Sequence, residues 1–138
     1  MKPSEVSDVP VALRRWFIFH FFADVLFAVP LFFAPEAFLG LLGWSQVDPF
    51  AARGVAAALF GIGAQSILDR DAGVASYRTM LSLKAIWATF ASIGFLWGCL
   101  TAGFPMAWVI FAVFAGFDLV WIYWLWRLGR SDSGPSGA

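Results

Sequence analysis

One cysteine, one histidine and a low content of charge set the first limits on what this chain can be. Cys99 has no partner for an intrachain disulfide, which removes every disulfide-stapled fold; in its apolar run it reads as a small inert hydrophobe and does not indicate a compartment. A single histidine is too few for most metal centres. Nine basic and nine acidic residues cancel to a formal net charge of zero, which leaves no cationic surface for nucleic acid. Charged residues make up 13% of the chain and hydrophobic ones 61%, against about 25% and about 45–50% in soluble domains. Motifs for nucleotide binding, zinc proteolysis or a hydrolase elbow are lacking. Gly61-Ile62-Gly63 lacks the third glycine and the preceding strand of a dinucleotide fingerprint.

The chain is instead rich in apolar and aromatic residues, with 16 Phe, 8 Trp and 2 Tyr. Such a content suits lipid-facing helices and interfacial belts. Four apolar stretches, at 16–34, 50–68, 76–100 and 106–126, each approach the roughly 20 residues needed to cross the hydrocarbon. The expected fold is all-α: an integral membrane four-helix bundle over 14–130, preceded by an exposed arm at 1–13 and followed by a small, polar, disordered tail at 131–138. The first stretch is read as a retained span and not as a signal peptide, because more membrane follows it. Pro30 should bend its far end. Pro35 and Glu36 suit the first turn of a short interfacial helix ending near Gly43, with Trp44 in the headgroup zone. Arg53 is expected to pair with Asp48 or Glu36, or to reach the headgroups.

Within the second span Gly54, Ala58, Gly61 and Gln65 share a face, and Gly94 and Gly98 repeat the small-residue spacing in the third. Both read as close-packing faces inside the subunit, with a homodimer as a further use. Trp121, Tyr123, Trp124 and Trp126 read as an interfacial belt. Lys2, Arg14, Arg15, Arg70, Arg78, Arg127 and Arg130 all fall on the side shared by the termini and the middle loop. Positive-inside logic then puts both termini in the cytoplasm of a bacterial inner membrane.

The informative residues are the polar ones inside the spans. Lys84 is costly at about 3 kcal/mol on insertion scales, so it needs a partner or a purpose. At about 1.5 Å of rise per residue, His20 and Asp24 lie about 8 and about 13 Å past Arg15, Lys84 about 9 Å past Arg78, Asp118 about 13 Å back from Arg127, and Gln65 about 6 Å from Asp69. All share the cytoplasmic half of the bilayer, and His20 and Asp24, four apart, share a face. The expectation is a layer with Lys84 buried between Asp24 and Asp118, and with His20 and Gln65 nearer the cytoplasm. If every acid ionises, the layer carries excess negative charge. A protonated His20, a protonated aspartate, a cation or a ligand would then complete it. Such a layer serves a site that binds or transports a small molecule, proton or cation, a structural ion-pair network in a subunit or assembly factor, or an intramembrane acid–base enzyme. An enzyme is not the favoured reading. No catalytic residue, cofactor or metal is assigned: Lys84 would repel a metal ion, and nothing indicates a carbonyl cofactor for a Schiff base. The implied partners are the bilayer, a small-molecule or lipid-like ligand and a second copy of the chain.

Pro30 and Pro35, Leu42-Gly43-Trp44, Asp48-Pro49, Arg53-Gly54 and the Ala/Gly-rich helix ending near Asp69-Arg70-Asp71 give a layout that resembles small bacterial four-helix membrane proteins of the DoxX-like group. The resemblance covers most of residues 16–126. It implies the fold more than a reaction, and no functional residues are carried over from it.

Overall fold

Proline and glycine punctuate the apolar runs, and the helices begin and end where they stand. The computed structural model describes residues 9–102 and 105–132, and these form five helices: α1 Val11–Phe33, α2 Pro35–Leu41, α3 Pro49–Leu68, α4 Val74–Ala102 and α5 Pro105–Asp132. Pro35 and Pro49 occupy the first turns of α2 and α3, where a missing N–H costs no helix bond. The Asp48 carboxylate caps α3, accepting from the amides of Phe50 at 2.9 Å and Ala51 at 3.3 Å. α2 stops at a Schellman turn: Trp44 N–H donates to Leu39 O at 2.9 Å and Gly43 N–H to Gly40 O at 3.0 Å. Gly43 holds the left-handed φ of 96° that this turn requires.

α1, α3, α4 and α5 are each long and apolar enough to cross a membrane. Their outer faces carry bare hydrocarbon: Phe22, Leu26, Phe33, Phe90, Leu100 and Leu119 are between 64% and 76% exposed. Apolar surface of that extent is not sustained in water, and helices are the elements that satisfy their own backbone in lipid. The chain is a multi-pass membrane protein with an all-α helical bundle.

The bundle is a pair of pairs. α1 packs closely on α3, and α4 on α5, while contact between the two pairs is carried mostly by side chains. At the end holding the start of α1 and the end of α5, Leu13, Phe17, Tyr77, Leu81, Trp121, Trp124 and Leu128 form one core. Tyr77 Oη donates to Arg70 O at 2.9 Å and closes the turn before α4. Toward the opposite end Ala28, Leu31, Ala52, Ala56 and Leu59 pack α1 onto α3, with Phe38 and Leu39 of α2 against them. Arg53 Nε donates to Phe32 O at 3.1 Å across that pair, rather than to Asp48 or Glu36.

Several expectations need correction. α1 begins at Val11, and Val9 and Leu13 are buried while Val11 is exposed, so the expected 1–13 arm already contains the start of α1 and two core residues; residues 1–8 lie outside the described set. α5 runs on to Asp132, past the expected end at 126, and the rest of the expected tail lies outside the described residues. The inward face of α3 is Ala52, Ala56, Leu59, Gly63 and Ser66. Gly54, Gly61, Gly94 and Gly98 have open space where a side chain would stand, so they do not serve close packing inside the subunit. Only half of the aromatic group on α5 faces outward: Tyr123 and Trp126 are exposed, whereas Trp121 and Trp124 are core residues.

Candidate functional site

His20 and Asp24 stand one turn apart on the α1 face that meets α3 and α4. Asp24 is 5% exposed and Lys84 only 2%. Lys84 Nζ lies 3.2 Å from His20 Nδ1 and donates at 3.5 Å to the Ile62 carbonyl of α3. That carbonyl also accepts from Ser66 Oγ at 3.1 Å. Asp24 Oδ2 lies 2.8 Å from the same His20 Nδ1.

One ring nitrogen cannot serve both neighbours at once. With its lone pair free, Nδ1 accepts from Lys84; carrying a proton, it donates toward Asp24. Without that proton Asp24 Oδ2 is a buried acceptor with no hydrogen-bond partner. The three side chains therefore form one coupled proton-sharing unit, neutral in sum when Lys84 and Asp24 are charged and His20 is not.

Close packing seats the carboxylate. A Cβ added at Gly63 would stand 3.0 Å from both Asp24 Cβ and Asp24 Oδ2, so glycine at this position lets the acid lie directly on α3. Aromatic rings surround the cation. Lys84 Nζ is 5.3 Å from the Phe17 ring centre and 5.4 Å from that of Trp121. His20 meets Phe117 and Trp121 edge-to-face at 4.7 and 4.9 Å. Cation–π contacts are worth about 0.5–2 kcal/mol each; two of them, with the Ile62 carbonyl, match the cost of about 3 kcal/mol for placing a lysine at this depth.

A cavity of about 270 Å³ lies beside the cluster, between the two helix pairs. His20, Asp24 and Lys84 line it, together with an apolar wall that includes Phe27, Leu59, Val113 and Phe114. Leu42 and Met106 also line it, so it extends from the polar cluster toward the end of the bundle where α2 lies.

The expected layer divides into three parts. His20, Asp24 and Lys84 are together. Asp118 is elsewhere: both its oxygens accept from Thr89 Oγ1, at 3.0 and 3.1 Å. Lys84 does not stand between two aspartates, and among the described residues no carboxylate forms a direct ion pair with it. Gln65 is exposed and donates to Asp69, one turn along its own helix, so it is not part of the cluster. The sequence reading missed Gly63, the Ile62 carbonyl, the Phe17 and Trp121 rings, and Trp87. The last could have been found by spacing, because Trp87 follows Lys84 by three positions and so shares its face.

Fold and site together define a multi-pass helical membrane protein with a buried His–Asp–Lys cluster at the wall of an internal cavity. Comparison with family models, with curated proteins and with solved structures yields no match.

Proposed function

We propose that this protein binds a small apolar molecule in the cavity between its two helix pairs, with His20, Asp24 and Lys84 as the polar end of the site. The observation that carries this reading is the pairing of about 270 Å³ of space with three titratable side chains held at its wall. A cluster serving only to fix helix register would be expected to close over itself, since voids in a packed interior forfeit dispersion contacts. The volume lies just below the roughly 300 Å³ at which ordinary ligand pockets begin, which favours a compact molecule of one or two rings. We place the protein in a bacterial inner membrane with both termini in the cytoplasm, on the distribution of its arginines. The DoxX-like resemblance remains an inference from the sequence layout and assigns no reaction.

Naphthalene is a suitable probe. Protein-loaded lipid nanodiscs should retain more of it than empty ones, saturably and at one site per chain. Ala23→Phe on α1 and Val113→Phe on α5, both at the cavity wall, should abolish the excess while the helical circular-dichroism signal persists. Equal retention by empty and loaded discs would remove the binding reading and leave a structural cluster.

A further inference from the structure

The cavity wall specifies the chemistry of its ligand more narrowly than its size does. Apart from the His20–Asp24–Lys84 cluster, the side chains lining it are hydrocarbon or aromatic, and their heteroatoms are the Met106 thioether and the indole N–H groups of Trp87 and Trp121. Trp87 Nε1 is buried and has no hydrogen-bond partner. An indole N–H can only donate. The Lys84 ammonium has three N–H groups; one donates to Ile62 O, and His20 Nδ1 takes a second only when it lacks a proton, so at least one N–H remains. Lys84 and Trp87 stand three residues apart on α4, on one face. Both residues line the cavity, so this stretch of its wall carries two donors in want of an acceptor. On the acceptor side Asp24 Oδ2, 2.8 Å from His20 Nδ1, is served when that nitrogen carries its proton, and Lys84 then keeps a second N–H without a partner.

Charge narrows the class further. The lysine and the aspartate balance with His20 neutral. A carboxylate or phosphate in the ligand would add an uncompensated charge to a dry site, and so would an ammonium. A sugar or other polyol would leave hydroxyls unpaired against the apolar walls.

We infer that the ligand is a neutral molecule with a compact apolar, ring-containing body and one carbonyl-type hydrogen-bond acceptor, held by Trp87 Nε1 and Lys84 Nζ. This rests on the proposed binding role of the cavity and adds the chemistry of its occupant. No covalent step is involved: the acceptor replaces an absent hydrogen-bond partner.

The test compares two molecules of nearly the same shape, acetylnaphthalene and isopropenylnaphthalene, in which a methylene replaces the carbonyl oxygen. Retention by protein-loaded nanodiscs is measured against empty discs for each, which corrects for partition into lipid. The ketone should bind about tenfold more tightly than the alkene, the advantage expected of satisfying a buried donor. The infrared carbonyl stretch of the bound ketone should fall below its value in lipid. Trp87→Phe should remove most of the advantage by weakening the ketone more than the alkene. If ketone and alkene bind equally, or if naphthoate binds more tightly than the ketone, the inferred class is wrong and the binding site stands. If none of the naphthalenes shows excess retention, both the class and the site fail. The ketone–alkene comparison uses the native protein, so it decides the matter even if Trp87→Phe does not fold.

Discussion

Replacing Gly63 by alanine adds a single methyl group at the point where Asp24 rests on α3. That Cβ would stand 3.0 Å from Asp24 Cβ, 3.0 Å from Oδ2 and 3.5 Å from Cγ, whereas comfortable separations are about 3.5–4.0 Å. The acid has to retreat by roughly half an ångström, and α1 with it, because the near atoms include its Cβ and not only the end of a flexible side chain. Overpacking of this kind costs about 1–3 kcal/mol. Against it stands the better helix propensity of alanine, about 0.8–1.0 kcal/mol. Gly61 supplies the control: it lies two residues earlier on the same helix, with nothing within 4 Å of an added Cβ, so Gly61→Ala collects the propensity gain alone. The difference between the two variants isolates the clash at about 1–3 kcal/mol. Reversible unfolding of both in mixed micelles with a denaturing detergent would measure it. Naphthalene retention should also drop in Gly63→Ala, as the carboxylate is displaced from its 2.8 Å contact with His20. Equal stability and equal retention in the two variants would refute the idea that Asp24 is seated on the Gly63 backbone.

Two further outcomes follow from the geometry. Gly43→Ala forces a Cβ onto a φ of 96° and should destabilise the protein by about 1–2 kcal/mol; Gly40→Ala, within α2 and with open space around it, should not, and thermal denaturation of the pair decides this. Asp118→Asn keeps an acceptor for Thr89 and lies outside the cluster, so it should leave naphthalene retention unchanged, while Asp24→Asn lowers it. A similar loss in both variants would restore Asp118 to the site.

How much of this could be read from the chain depends on which coordinate of a helix is asked for. Position along the axis follows from counting, and apolar length with Pro35, Gly43 and Pro49 marks the spans and the short helix between the first two. Rotation about the axis is less determined. Asp118 carries the expected depth count but turns toward Thr89, while His20, placed nearer the cytoplasm by counting, touches both Asp24 and Lys84. Gln65 has a nearer partner in Asp69, at the end of its own helix. α3 is so rich in Ala and Gly that it offers two small faces. Gly54–Ala58–Gly61–Gln65 and Ala52–Ala56–Leu59–Gly63 are spaced alike, and only the second meets α1, where Asp24 takes the place left by the missing Cβ of Gly63. The polar side chains announce the cluster through their cost in lipid. Its backbone parts, Gly63 and the Ile62 carbonyl, carry no such signal.

Lys84 shares its surroundings with Asp24 and not with Asp118. A double-mutant cycle for unfolding measures that directly, pairing Lys84→Met with Asp24→Asn and, separately, with Asp118→Asn. Removing one buried charge leaves the other uncompensated and is costly, whereas removing both is not. The Lys84–Asp24 pair should therefore show a coupling above about 1 kcal/mol and the Lys84–Asp118 pair additivity within about 0.5 kcal/mol. The reverse pattern, or additivity in both pairs, would contradict the cluster.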